Sequence, residues 1–122
     1  MIKVLIVDDC PITREFIKKI LNRLNINRVN EAGNGEEALS LYDEYKPDLV
    51  FMDITMPKLN GIEAMKKLNE KYAHTNIIMV TSLEDQGLIF EALSSGAKGF
   101  LVKPIDTFKL KREITKIVSF IQ

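Results

Sequence analysis

Leu49-Val50-Phe51-Met52-Asp53 is an unbroken apolar run closed by an acid. A strand with one wet face alternates in polarity; a run with no polar position is covered on both faces, as in parallel sheets sandwiched between helices. Val4-Leu5-Ile6-Val7 has the same character and closes on Asp8-Asp9. Ile77 to Val80 closes on Thr81-Ser82, and Phe100-Leu101-Val102 closes on Lys103-Pro104, while Arg28 to Ala32 is a weaker strand. Between these runs the apolar positions take helical spacing. Ile12, Phe16, Ile17, Ile20, Leu21 and Leu24 make one stripe; Ala38, Leu39 and Tyr42 follow within Gly35 to Tyr45, and Ile62, Met65 and Leu68 within Gly61 to Tyr72. A fourth helix is expected from about Asp85 to Ser95, and Leu110, Ile114, Ile117, Val118 and Ile121 mark the last, Thr107 to Ile121. Five βα units with right-handed crossovers predict an α/β fold, a doubly wound parallel sheet in one domain over residues 1–122.

Composition excludes much else. The chain has 122 residues, 46% of them hydrophobic and 28% charged, with six Gly and four Pro, so disordered and collagenous readings fall away. Seventeen basic residues balance seventeen acidic ones, leaving no global positive field for nucleic acid or anionic lipid. Neither nucleic acid nor membrane is an expected partner. One cysteine, Cys10, rules out an internal disulfide and suits a reducing compartment, with the cytoplasm as the expected location. The apolar opening ends at Asp8, well short of the ~20 residues of a membrane span.

Ligands of open α/β sheets bind beyond the carboxyl ends of the strands. At that edge this chain places Asp8, Asp9, Asp53, Thr81, Ser82, Lys103 and Pro104. Three carboxylates brought together repel one another, and a hard divalent cation such as Mg2+ removes that repulsion with the oxygen ligands it prefers. A carboxylate beside a metal and a lysine is also placed for phosphoryl transfer. Taken singly, each residue has a plainer explanation. Asp8 and Asp9 suit a helix N-terminus, Pro11 its first turn, Asp53 a loop, Lys103 the surface before a turn proline, and Ser82 a cap. Joint placement at four strand ends favours the functional reading.

Asp8-Asp9, Asp53-Ile54-Thr55-Met56-Pro57, Asn60-Gly61, Thr81-Ser82 and Lys103-Pro104, in this order over the whole chain, resemble the receiver domain of two-component response regulators. The resemblance implies a flavodoxin-like sheet of strand order 2-1-3-4-5 and phosphorylation of Asp53 by a phosphohistidine on a sensor histidine kinase or phosphotransfer protein. It implies Mg2+ held by Asp9, Asp53 and the backbone carbonyl of Thr55, with Asp8 acting through a metal-bound water. Lys103 would pair with the phosphoryl group, Thr81 would donate its hydroxyl to it, and the Lys103-Pro104 bond would be cis. With Met1 at the start and no output domain after Gln122, the chain resembles a stand-alone receiver. Met52 to Pro57 with Asn60-Gly61-Ile62 is similar to chemotaxis receivers; a phosphorelay carrier is the alternative. Such a protein catalyses only its own phosphorylation and dephosphorylation.

Several positions depart from the family pattern. The switch position three residues before the lysine is Phe100, which lacks the hydroxyl of the common Tyr. Ser82 is bulkier than the usual Ala or Gly, and the apolar Leu83 cannot orient an attacking water, so slow autohydrolysis is expected. An aspartate-nucleophile phosphatase of the haloacid dehalogenase type needs a second Asp two residues on, where this chain has Thr55. A flavin carrier needs phosphate donors where the first loop is acidic. A phosphorylation-independent interaction domain is disfavoured because the acid and lysine set is complete. Cys10 and the lone His74 support no nucleophilic arrangement, and Gly33-Asn34-Gly35 is a turn and helix start rather than a phosphate loop.

Leu88-Ile89-Phe90 spans about 200° of helix, more than a core-facing arc requires. At least one of Leu88 and Phe90 should reach the surface. With Phe120, which lies off the last stripe, they are candidates for a partner face on the fourth helix, fifth strand and fifth helix, which receivers use for output.

Overall fold

The computed structural model describes residues 1–82 and 86–121, the side chain of Phe120 excepted. The expectations for Leu83 and Phe120 lie outside the described residues. Strands β1 (Lys3–Val7), β2 (Arg28–Ala32), β3 (Leu49–Asp53), β4 (Ile77–Thr81) and β5 (Gly99–Val102) alternate with helices α1 (Pro11–Arg23), α2 (Gly35–Tyr45), α3 (Gly61–Lys71), α4 (Gln86–Ser94) and α5 (Thr107–Ile121). All neighbours pair parallel in the order β2-β1-β3-β4-β5, the expected flavodoxin-like arrangement.

Strand periodicity splits the core into two layers. Val4, Ile6, Leu49, Phe51, Ile78, Val80 and Leu101 meet Ile17, Ile20 and Leu21 of α1 and Leu110, Ile114 and Ile117 of α5. Leu5, Val7, Val50, Met52, Ile77 and Met79 meet α2, α3 and α4 through Ala38, Tyr42, Ile62, Met65, Leu68 and Ala92. All five positions of β3 and all five of β4 are buried, as the unbroken runs require.

Three apolar positions fall differently from the sequence expectation. Ile12 is 80% exposed, because the first turn of α1 begins past the end of β1, where no sheet lies beneath it. Ile121 is 36% exposed, at the last turn of α5. Phe100 is 37% exposed although it sits in an apolar run, because β5 is an edge strand and α4 contributes one buried residue, Ala92, to its cover.

Two asparagines start helices beside the carboxyl edge. Asn34 Oδ1 accepts from the Glu37 amide and Asn60 Oδ1 from the Glu63 amide, each at 2.9 Å. Both fill the N-cap role and are followed by a Glu at the third helical position.

Candidate functional site

Register brings the strand ends level. Val7 pairs with Met52, Asp53 with Val80, and Thr81 with Val102. Backbone bonds extend the sheet one residue further: Asp8 N donates to Ala32 O at 3.0 Å, Ile54 N to Val80 O at 2.9 Å and Lys103 N to Thr81 O at 2.7 Å. Residues far apart in sequence thereby converge at the strand ends or just past them.

Asp8, Asp9 and Asp53 each offer a carboxylate oxygen, and these atoms lie within 4.8 Å of one another. Asp8 and Asp53 are buried and Asp9 is exposed. Lys103 Nζ lies 2.8 Å from Asp8 Oδ2 and 3.6 Å from Asp53 Oδ2, and the bond between Lys103 and Pro104 is cis. Asp8 Oδ1 accepts from the Cys10 amide at 2.8 Å. The buried Asp8 Oδ2 accepts no well-directed hydrogen bond among the described residues, its approach to Lys103 being a charge contact. Two buried carboxylates and a third at the surface form an all-oxygen donor set that suits a hard cation.

Electrostatics follow from this crowding. Burial pushes the Asp53 carboxyl up to about 7, the Asp8 charge adds to the rise, Lys103 opposes it, Asp9 raises it further, and a hydrogen bond from the Thr55 backbone opposes it. Burial pulls Lys103 down, yet its contacts with Asp8 and Asp53 hold it above the ordinary lysine value.

The loop after β3 is closed tightly. Gly61 N donates to Ile54 O at 2.8 Å, and a Cβ at Gly61 would stand 2.1 Å from Asp53 O. Only a residue without Cβ lets α3 begin this close to the candidate acceptor. Thr55 is exposed on this loop, and Thr81 is buried at the end of β4.

Of the other candidates, Cys10 is the N-cap residue of α1 and half-buried, and His74 is exposed in the connection between α3 and β4. Phe90 is 72% exposed, whereas Leu88 is half-buried and packs against the core. Sequence reasoning missed Phe108, exposed in the first turn of α5, and Leu93, exposed on α4. A buried first-turn position cannot be told from an exposed one by period alone; for Phe108, the preceding Asp106 cap, which accepts from the Phe108 amide at 2.7 Å, was the available signal.

Known proteins share this fold and much of this sequence. Residues 4–115 match the response regulator receiver domain family. The chain is 40% identical over 116 residues to the chemotaxis protein CheY of Listeria monocytogenes, covering 95% of this chain and 98% of that one. It is 40% identical over 117 residues to CheY of Bacillus subtilis, covering 96% and 98%. Among solved structures, the complex of CheX, CheY, BeF3 and Mg2+ from Borrelia burgdorferi superposes with a TM-score of 0.91 at 34% identity, covering 96% of this chain and 89% of that one. By the family match, by full-length likeness to CheY proteins and by the acidic cluster at the carboxyl edge, this chain belongs to the response regulator receiver domains, signalling phosphoacceptors rather than conventional enzymes.

Proposed function

We propose that Asp53 is the phosphoacceptor and that it receives its phosphoryl group from a phosphohistidine on a sensor histidine kinase or phosphotransfer protein. The observation that carries this is the convergence of Asp8, Asp9 and Asp53 within 4.8 Å beside an ammonium that contacts two of them. An Asp53 oxygen attacks phosphorus; the P–O bond forms as the P–N bond breaks, and the donor imidazole leaves with the electron pair. Asp9, Asp53 and the Thr55 carbonyl would hold Mg2+, with Asp8 acting through a metal-bound water. The cation supplies positive charge that offsets the carboxylates and the phosphoryl oxygens. Lys103 neutralises a further phosphoryl oxygen, and Thr81 donates its hydroxyl to another.

The donor has an apolar surface to meet. Ile12, Thr13, Phe16, Pro104 and Ile105 line a shallow pocket whose rim includes Lys103. A helix of the donor seated on Ile12 and Phe16 would bring its histidine to the acceptor edge. Output then passes to a protein target on α4, β5 and α5, where Phe90, Phe100 and Phe108 are exposed. The likeness to CheY proteins favours a chemotaxis-type regulator over a phosphorelay carrier. None of the described helices is long and apolar enough to cross a membrane, and with a single free Cys10 the proposed location is the cytoplasm.

The test is incubation with a small phosphodonor and Mg2+, followed by intact mass. One added phosphate on wild type and none on Asp53→Asn is expected. Equal labelling of the two proteins would assign the acceptor elsewhere.

A further inference from the structure

Arg14 is not part of the carboxylate cluster, yet it grips the chain at the cluster's root. Its Nη1 donates to the backbone carbonyl of Asp8 at 2.6 Å, and its Nε donates to Glu31 Oε1 on β2 at 3.0 Å. Glu31 is held in turn by Lys18, whose Nζ lies 2.9 Å from Oε2 and 2.8 Å from Glu15. Lys18 and then Arg14 keep the Glu31 carboxyl below its ordinary range, against the opposing effect of burial. Asp8 is therefore held at both of its peptide units, the one before it by its amide on Ala32 O and the one that leads to Asp9 by the guanidinium on its carbonyl.

We propose that Arg14, anchored by Glu31, is a positioning residue for cation binding: it sets the peptide plane between Asp8 and Asp9 and so aims the Asp9 carboxylate into the cluster. The inference rests on the reading of Asp8, Asp9 and Asp53 as a divalent-cation site. Asp9 is exposed, so its direction depends on the backbone that carries it more than on walls of packed side chains. A planar guanidinium serves two acceptors at once in fixed geometry, which a lysine ammonium on a flexible stem does not reproduce. Outer partners of this kind commonly tune metal affinity by ten-fold or more.

The sign of the effect separates positioning from charge. Arg14 is a cation close to a cation site, so by Coulomb repulsion alone its removal should tighten Mg2+ binding. If it positions Asp9, its removal should loosen binding despite the relieved repulsion.

The experiment is calorimetric titration of the full chain with Mg2+, for wild type, Arg14→Ala, Arg14→Lys and Glu31→Gln, repeated at high salt to screen the charge contribution. A thermal melt in chelator establishes that each variant is folded. The expected result is a dissociation constant raised on the order of ten-fold in Arg14→Ala, with smaller increases in Arg14→Lys and Glu31→Gln, all persisting at high salt. Affinity in Arg14→Ala equal to or tighter than wild type overturns the proposal, as does wild-type affinity in both Arg14→Lys and Glu31→Gln should Arg14→Ala fail to fold. A wild type that binds no Mg2+ overturns the cation-site reading itself, and the positioning role with it.

Discussion

Lys103 Nζ stands 3.6 Å from Asp53 Oδ2, beyond hydrogen-bonding distance, because its nearer partner is Asp8 at 2.8 Å. The ammonium thus faces the candidate acceptor without being locked to it. Asp8 holds the lysine at the edge of the cluster, at a distance from the Asp53 oxygen.

Lys103 lowers the Asp53 pKa from a distance, so removing it should raise that pKa above about 7. Lys103→Met, followed by carboxyl carbon chemical shifts across a pH titration in chelator, should show the Asp53 midpoint move upward. A midpoint unchanged or lowered would mean that the lysine has no electrostatic hold on Asp53. Phosphorylation by a small donor should also slow, because the carboxylate form becomes scarcer at neutral pH.

The raised Asp53 pKa makes folding pH-dependent with a definite sign. Its ordinary value is 3.8 and its folded value about 7, so between these the folded state binds more protons and stability falls as pH rises. Asp53→Asn removes the ionisation. In chelator it should be more stable than wild type by about 1–3 kcal/mol at pH 8, with the advantage shrinking towards pH 4. Urea unfolding at several pH values measures this; a gap that does not depend on pH would contradict it.

Gly61 has a carbonyl where a methyl would go, with Asp53 O 2.1 Å from an added Cβ. Gly61→Ala should cost about 2–4 kcal/mol by forcing α3 away from β3, and should impair phosphorylation because the displaced backbone is that of Asp53. Gly33 has open space around its Cβ position, so Gly33→Ala serves as a control with a cost below about 1 kcal/mol. Similar denaturation midpoints for the two variants would refute the close-approach account.

Thr81 is buried at the end of β4, and Phe100, on the neighbouring strand, is 37% exposed. If a phosphoryl group on Asp53 draws the Thr81 hydroxyl towards it, the space vacated should be filled by Phe100 through packing alone. Thr81→Ala should be phosphorylated but switch poorly. Phe100→Tyr should be phosphorylated normally and differ only in partner affinity. Amide shifts with and without a beryllofluoride mimic provide the check: changes confined to the strand ends, leaving α4, β5 and α5 untouched, would defeat this coupling.

The unbroken runs at β3 and β4, and the helical stripes after them, were legible because burial on both faces leaves its mark on every residue of a segment. So were Asp8, Asp9, Asp53 and Lys103, since each follows such a run and the end of a run is a position along the chain. Asn34 with Glu37 and Asn60 with Glu63 repeat a capping spacing that local sequence also carries. What the chain written as a line does not hold is the identity of each residue's neighbours. Phe100 lies in an apolar run and is still more than a third exposed, because α4 presents a single buried residue against an edge strand. Ile12 keeps the period of α1 and still meets water, because the sheet ends before that turn. Arg14 reaches Glu31 and the Asp8 carbonyl because β2 pairs with β1 in a register that sets Glu31 beside Ile6. Periodicity records whether a side chain is turned towards the core, whereas cover and long-range partners depend on where the other elements stop, and that is decided only when the sheet and its two helical layers are assembled.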